Sequence, residues 1–225
     1  MKKVLKILTI LFSGCIGLGF IVSKSEKKKG WVKGHKPYGP YEKHIKRPLD
    51  FGLTLFALIL FWPVLLIIAI VVRVKLGSPV MFKQERPGVG GKIFCLVKYR
   101  TMLTTMGPDG KPLPDEQRMT PVGSRIRDLS LDETLEAINV LKGDIALVGP
   151  RPLLPEYLDR YSEEQTHRHD VRPGLTGYAQ TEGRNLCTWD EKFKKDVEYV
   201  NHITFLGDLK ILFKTAKVVL KSTMS

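Results

Sequence analysis

Cysteine is scarce in this chain: Cys15, Cys95 and Cys187 are the only three in 225 residues. They are odd in number and far apart, with no CxxC and no Cys/His cluster, which argues against a disulfide scaffold and a structural zinc site. A reducing, cytoplasm-facing location is the expectation. Acidic residues are missing from one stretch. Residues 1–75 hold fourteen Lys/Arg against Glu26, Glu42 and Asp50, so +11 of the +13 net charge lies there, and residues 76–225 carry only +2. A nucleic-acid binder would carry its excess on the folded body; here it surrounds apolar segments, which suits anionic lipid headgroups at about 1 kcal/mol per cation near the surface. Membrane lipid is the expected partner, and nucleic acid is not.

Charge of either sign is absent from Phe51 to Val72. As a helix this run is roughly 33 Å long, enough to span a bilayer. Two features oppose a simple span. Pro63 interrupts the hydrogen-bond ladder near the middle, and both flanks are basic: Lys43, Lys46 and Arg47 before, Arg73 and Lys75 after. The positive-inside rule puts both ends on the cytoplasmic face, and a re-entrant helix broken at Trp62-Pro63 satisfies both observations. Upstream, residues 1–23 combine Lys2, Lys3 and Lys6 with an apolar run diluted by glycine. Signal peptide, signal anchor and interfacial segment all fit it. Segment 24–47, with nine basic residues, reads as a flexible tether along headgroups. Three parts are expected: an N-terminal apolar segment and tether over 1–47, a membrane helix over 48–75, and a catalytic domain over 76–225.

The third part has the composition of an α/β body, mainly helical with a small sheet. Val80–Gln84 and Ile93–Tyr99 read as strands joined by a glycine-rich turn, Arg86-Pro87-Gly88-Val89-Gly90-Gly91. That cluster leads into a strand and so is no P-loop. Residues 107–117 form a loop, and helices are expected over 131–142, 152–169, 189–200 and 205–222. In the last, Lys210, Lys214, Lys217 and Lys221 recur on one face and Leu206, Leu209, Phe213, Ala216 and Leu220 on another. The pattern fits an interfacial amphipathic helix, and equally a helix packed on the core.

Chemistry is expected at Asp132-Glu133. Ser130-x-x-Glu133 fits a capping box, and an acid in a first turn is stabilised by the helix dipole. The same environment keeps a carboxylate exposed and ionised, able to coordinate Mg²⁺ or attack phosphorus; capping and catalysis both fit the local pattern. Cations at fixed points favour the second. Arg125 and Arg127 precede the dyad, Arg151 sits between Pro150 and Pro152, Arg172 precedes Pro173-Gly174, and Arg184 lies in Gly183-Arg184-Asn185. Arginine binds phosphate bidentately, and proline turns lower the ordering cost. Lys98 is expected on a strand face with Phe94, Leu96 and Arg100. His167 and His169, two apart on a helix, point to different faces and read as solvated.

Together these motifs resemble the monotopic phosphoglycosyl transferases, the bacterial sugar transferase family, in its small single-domain form. The similarity runs from about Lys46 to Lys221. It is carried by Lys46-Arg47-Pro48-Leu49-Asp50, Gln84-Glu85-Arg86-Pro87-Gly88, Lys98-Tyr99-Arg100-Thr101-Met102, Leu129-Ser130-Leu131-Asp132-Glu133, Asn139-Val140-Leu141-Lys142-Gly143-Asp144, Val148-Gly149-Pro150-Arg151-Pro152, Arg172-Pro173-Gly174-Leu175-Thr176-Gly177 and Gly183-Arg184-Asn185. The resemblance implies transfer of a sugar-1-phosphate from a UDP-sugar to polyprenyl (undecaprenyl) phosphate with release of UMP, the first membrane step of bacterial glycan assembly. It implies Asp132 as nucleophile forming an acyl-phosphate intermediate and Glu133 assisting with Mg²⁺ and the lipid phosphate. Lys98 and Arg127 would line the site, and Arg151 would bind phosphates. The implied place is the bacterial inner membrane with the catalytic domain on its cytoplasmic face. Trp62, where serine is common before the proline, and the extension over residues 1–40 depart from the short members. A non-catalytic membrane scaffold of a glycan-assembly complex is the alternative. The sugar and the oligomeric state, a homo-oligomer included, are not legible.

Overall fold

The computed structural model describes residues 2–25, 31–182 and 188–224. Helix α1 (Lys2–Ser25) lies antiparallel on α2 (Lys46–Lys75), which a π turn over Tyr41–Ile45 introduces. Small residues permit the approach: a Cβ on Gly52 would come within 2.8 Å of the Ile16 Cα, and Gly19 abuts the Pro48 carbonyl. Phe12 meets Phe56 edge-on at 5.3 Å between ring centroids. Both helices are long and apolar enough to cross a membrane.

Strands β1 (Met81–Pro87) and β2 (Ile93–Tyr99) form an antiparallel pair, Met81 opposite Tyr99 and Pro87 opposite Ile93. Short helix α3 (Asp115–Arg118) closes the following loop, and α4 (Pro121–Asp128) starts at a Thr120 cap, whose hydroxyl accepts from the Gly123 amide at 3.0 Å. A 3-10 turn over Leu131–Glu136 runs into α5 (Ala137–Lys142), then β3 (Ala146–Val148). Beyond α6 (Glu163–Thr166), β4 (Gly174–Thr176) pairs parallel with β3, and α7 (Tyr178–Glu182), α8 (Trp189–Asn201) and α9 (Phe205–Met224) complete the chain.

Two stretches of α2 touch the body. Near its start, the Arg47 guanidinium donates to the Val140 and Leu141 carbonyls at 2.7 and 3.1 Å. Toward its end, Ile68, Val72 and Leu76 join Val97, Tyr99, Ile126 and Leu135 in one core cluster, and the Tyr99 hydroxyl donates to the Leu65 carbonyl at 2.7 Å. Between them Ile59, Leu60, Phe61, Trp62, Val64 and Ile67 are exposed, an apolar patch of the kind that marks contact with a membrane. A second cluster joins Val148, Val171, Tyr199, Val200, Ile203 and Ile211.

The structure revises several expectations. Helix α2 continues as one element through Pro63, so the break expected at Trp62-Pro63 does not end the helix. Strand β1 begins at Met81 and runs on to Pro87. No helix spans 152–169: Pro155–Arg160 is 3-10, Tyr161 and Ser162 are extended, and Ser162 caps α6 in a capping box with Gln165. His169 is buried against Tyr161, with ring centroids 5.4 Å apart, while His167 is exposed and meets Asp170 at 2.8 Å. The expected solvation holds for His167 only.

Candidate active site

Ser130 does not cap. It adopts the left-handed conformation, φ 55°, with no side-chain cap bond, and the turn that follows is 3-10. The expected helix over 131–142 is therefore 3-10 to Glu136 and α-helical only from Ala137. Successive side chains in a 3-10 turn diverge by about 120°, so the two carboxylates of the dyad face different surroundings. The physical reason for the lost cap is the pull of cations on Glu133. Its Oε1 lies 2.9 Å from the Lys98 Nζ and 2.8 Å from an Arg151 guanidinium nitrogen.

Each partner is placed by a motif. Asn139 is wholly buried, its amide donating to the Cys95 carbonyl at 2.8 Å and its oxygen accepting from the Val97 amide at 3.1 Å. This bolts β2 to α5 and sets Lys98, the next residue, against the dyad. Arg151 follows β3, where Gly149 and Gly174 let two backbones meet: a Cβ on Gly149 would come within 2.6 Å of the Arg172 carbonyl oxygen. The Arg151 main-chain oxygen accepts from the Arg168 guanidinium at 2.8 Å, and Arg168 is itself buried and paired with Asp196 at 2.7 Å.

The electrostatics separate the two acids. Burial works upward on the Glu133 carboxyl, but Arg151 and Lys98 together outweigh it and hold it below the ordinary value. Asp132 is shifted the other way, first by burial and then by the Glu133 charge, against weaker pulls from Lys98 and Arg127. Among the described residues, no cation stands within ion-pair distance of Asp132. Glu136, which sequence reasoning passed over, is buried, holds Lys98 from the other side at 2.9 Å, and is raised chiefly by that burial. Its signal was its place one turn after the dyad.

Asp132 and Glu133 line a cavity of about 620 Å³ with Lys98, Arg86, Arg127 and Arg118. Arg127 is tied to it by its Nε, which donates to the Thr101 hydroxyl at 2.9 Å. Arg86, also overlooked, came with the Arg-Pro-Gly turn and brings a buried Nε without a partner. Arg172 lines neither this cavity nor the larger one beside it; its Nε donates to the Gly143 carbonyl at 2.9 Å, and it serves the β3–β4 join. Arg184 lies outside the described residues. The dyad fits a hard divalent cation such as Mg²⁺, which takes one or two carboxylates and otherwise water and substrate phosphates: Asp132 is in no ion pair among the described residues, and the hydrogen bonds of both cations go to one oxygen of Glu133. Among the described residues no cluster of three acidic, histidine or cysteine ligands exists, so such an ion would depend on substrate for the rest of its shell.

Carboxylates and cations walled into one polar cavity, on a body that carries a broad exposed apolar helix surface, define a membrane-associated enzyme for phosphate-bearing substrates. Comparison with known proteins is consistent with this. The family model described as bacterial sugar transferase matches residues 41–222. The sugar transferase EpsL of Bacillus subtilis, named as uncharacterized, is 51% identical over 79% of this chain and 88% of its own. The UDP-N-acetylgalactosamine-undecaprenyl-phosphate N-acetylgalactosaminephosphotransferase of Aeromonas hydrophila is 34% identical over 80% of this chain, which spans 45% of that protein. For the UDP-glucose:undecaprenyl-phosphate glucose-1-phosphate transferase of Caulobacter vibrioides the identity is 36%, over 78% of this chain and 69% of the relative. The chain belongs to the bacterial sugar transferase family.

Proposed function

We propose that this protein transfers a sugar-1-phosphate from a UDP-sugar to polyprenyl (undecaprenyl) phosphate, releasing UMP, through a covalent intermediate on Asp132. One observation carries the assignment: Asp132 stands uncommitted in the polar cavity while its neighbour is clamped by Lys98 and Arg151. An Asp132 carboxylate oxygen attacks the β-phosphorus, the bond from that phosphorus to the bridging oxygen breaks, and UMP departs with the electron pair. An oxygen of the lipid phosphate then attacks the same phosphorus, and the Asp132 carboxylate leaves. Splitting the transfer lets a soluble donor and a lipid acceptor use one nucleophile in turn. Lys98, Arg86 and Arg127 screen the repulsion between a carboxylate and an anionic diphosphate, and Arg151 holds Glu133 in place. A bound Mg²⁺ at Asp132 and Glu133 would supply further neutralisation of phosphate charge.

The family and the two apolar helices support membrane association. The finer placement proposed is the bacterial inner membrane, with the body on the cytoplasmic face and α2 entering and leaving one leaflet. Two facts favour it: both stretches of α2 that touch the body touch the same body, and both flanks are basic. The test is UMP release from a panel of UDP-sugars by purified protein with Mg²⁺ and polyprenyl phosphate. Release that needs lipid and metal is expected; no release with any donor from folded protein would refute the assignment.

A further inference from the structure

A second cavity, of about 660 Å³, opens beside the polar one, and the two share Ser130 and Glu133 in their walls. Its lining is mainly apolar, with Leu147, Leu175, Ala179, Phe193, Leu212 and Ala216 among the contributors. The charged pair there, Arg168 and Asp196, is mutually neutralised at 2.7 Å. Lys192 lies over the Trp189 ring at 5.1 Å, and Arg151 stands where the two cavities meet; the polar cavity gathers Arg86, Lys98, Arg118 and Arg127 and so suits a nucleoside diphosphate better.

We propose that the apolar cavity receives the first isoprenoid units of the polyprenyl phosphate acceptor, with its phosphate at the rim beside Arg151. The inference rests on the transfer function proposed above for the identity of the chain that enters. Three further observations fix that occupant. The Arg151 side chain, 44% exposed, presents a cation at the rim, where an anionic head would sit. On α9, Leu212, Thr215 and Val219 recur at helical spacing on the cavity side, with Ala216, expected on the face of Leu209 and Phe213, at the cavity's edge, whereas Leu206 and Phe213 are exposed on another face. One helix thus divides the cavity from a bilayer-suited surface. The wall the two cavities share is formed by Ser130 and Glu133, which flank Asp132 in sequence, so an acceptor head at the rim stands next to the residue that the donor reaches from the polar cavity.

The direct test needs no turnover. The full chain in lipid nanodiscs, without any UDP-sugar, is irradiated with geranylgeranyl phosphate carrying a diazirine at the tail. Adducts are expected within residues 193–219, competed by unmodified polyprenyl phosphate and not by the parent alcohol. Labelling spread along the exposed faces of α1 and α2, or equal competition by the alcohol, would mean bulk-lipid contact and overturn the proposal. In turnover, Ala216→Trp should raise KM for polyprenyl phosphate at least tenfold with less than a twofold change in KM for the UDP-sugar. A parallel rise in both would assign the cavity to the donor. Wild-type protein that labels in the cavity but releases no UMP would refute the transfer function while leaving the lipid site standing.

Discussion

Burial lifts the Asp132 carboxyl while two cations hold Glu133 down, so substitution should separate the two acids. Asp132→Asn removes the nucleophile and should cut UMP release by about 10³-fold or more. The amide is also spared the burial cost of ionisation. Because the folded-state value of Asp132 lies above its ordinary 3.8, ionisation weakens the fold above that pH. Asp132→Asn should therefore melt higher than wild type at pH 7 and match it under acid. Glu133→Gln keeps the shape but loses the anion that holds Lys98 and Arg151; a loss of about 10–100-fold in rate is expected, with the donor KM raised. A second acid–base prediction concerns His169, which burial and then the neighbouring Arg168 push down from 6.5 to about 4. A depressed base favours the fold above its unfolded value, and that contribution is lost as pH falls from about 6.5 toward 4. Melting curves across this window should slope less in His169→Gln; an unchanged slope would mean that the ring is charged in the fold.

At the level of elements, the same four-residue pattern has different outcomes. Ser162-x-x-Gln165 and Thr188-x-x-Glu191 both close into capping boxes. Ser130-x-x-Glu133 does not, because Lys98 on β2 and Arg151 beyond β3 claim the glutamate, and neither is near in sequence. That is why the dyad and its cations were legible while the local conformation was not: the motif reports chemistry, and its shape is set by distant partners. The Ser162 box also interrupts the helix expected over 152–169, a signal present in the sequence. Strand β2 kept its expected limits because turn residues bound it on one side. The role of Asn139 shows only in three dimensions. Asn139→Ala would orphan the Cys95 carbonyl and the Val97 amide, each costing roughly 1–3 kcal/mol when buried without a partner. A melting temperature lowered by several degrees is expected in detergent, with the rate lost as well because Lys98 loses its anchor; a rate unchanged at a lowered melting point would separate β2 placement from catalysis.

Across the whole molecule, the decisive question is how one body can hold both stretches of a 30-residue apolar helix. A straight span would carry its two ends to opposite faces of a bilayer, roughly 30 Å apart in hydrocarbon alone. The body reaches Arg47 through the Val140 and Leu141 carbonyls and reaches Leu65 through the Tyr99 hydroxyl, and it is too polar to follow the helix through lipid. Exposed apolar side chains run from Ile59 past the second anchor to Val74; within that run, at Trp62 and Pro63, proline leaves the Ile59 carbonyl without its usual helical donor and the chain is easiest to bend. Single cysteines at Lys43 and Val74, both exposed, report the two ends in a chain whose own cysteines are replaced by serine. With a membrane-impermeant maleimide, both should react in inverted vesicles and neither in intact cells. Reaction of the two from opposite sides would make α2 a spanning helix and would require the contacts at Arg47 or those at Leu65 to open in the membrane. Pro63→Leu sharpens the test, since it restores the missing donor and should move the balance toward the straight form, visible as partial protection of Val74→Cys in the same vesicles.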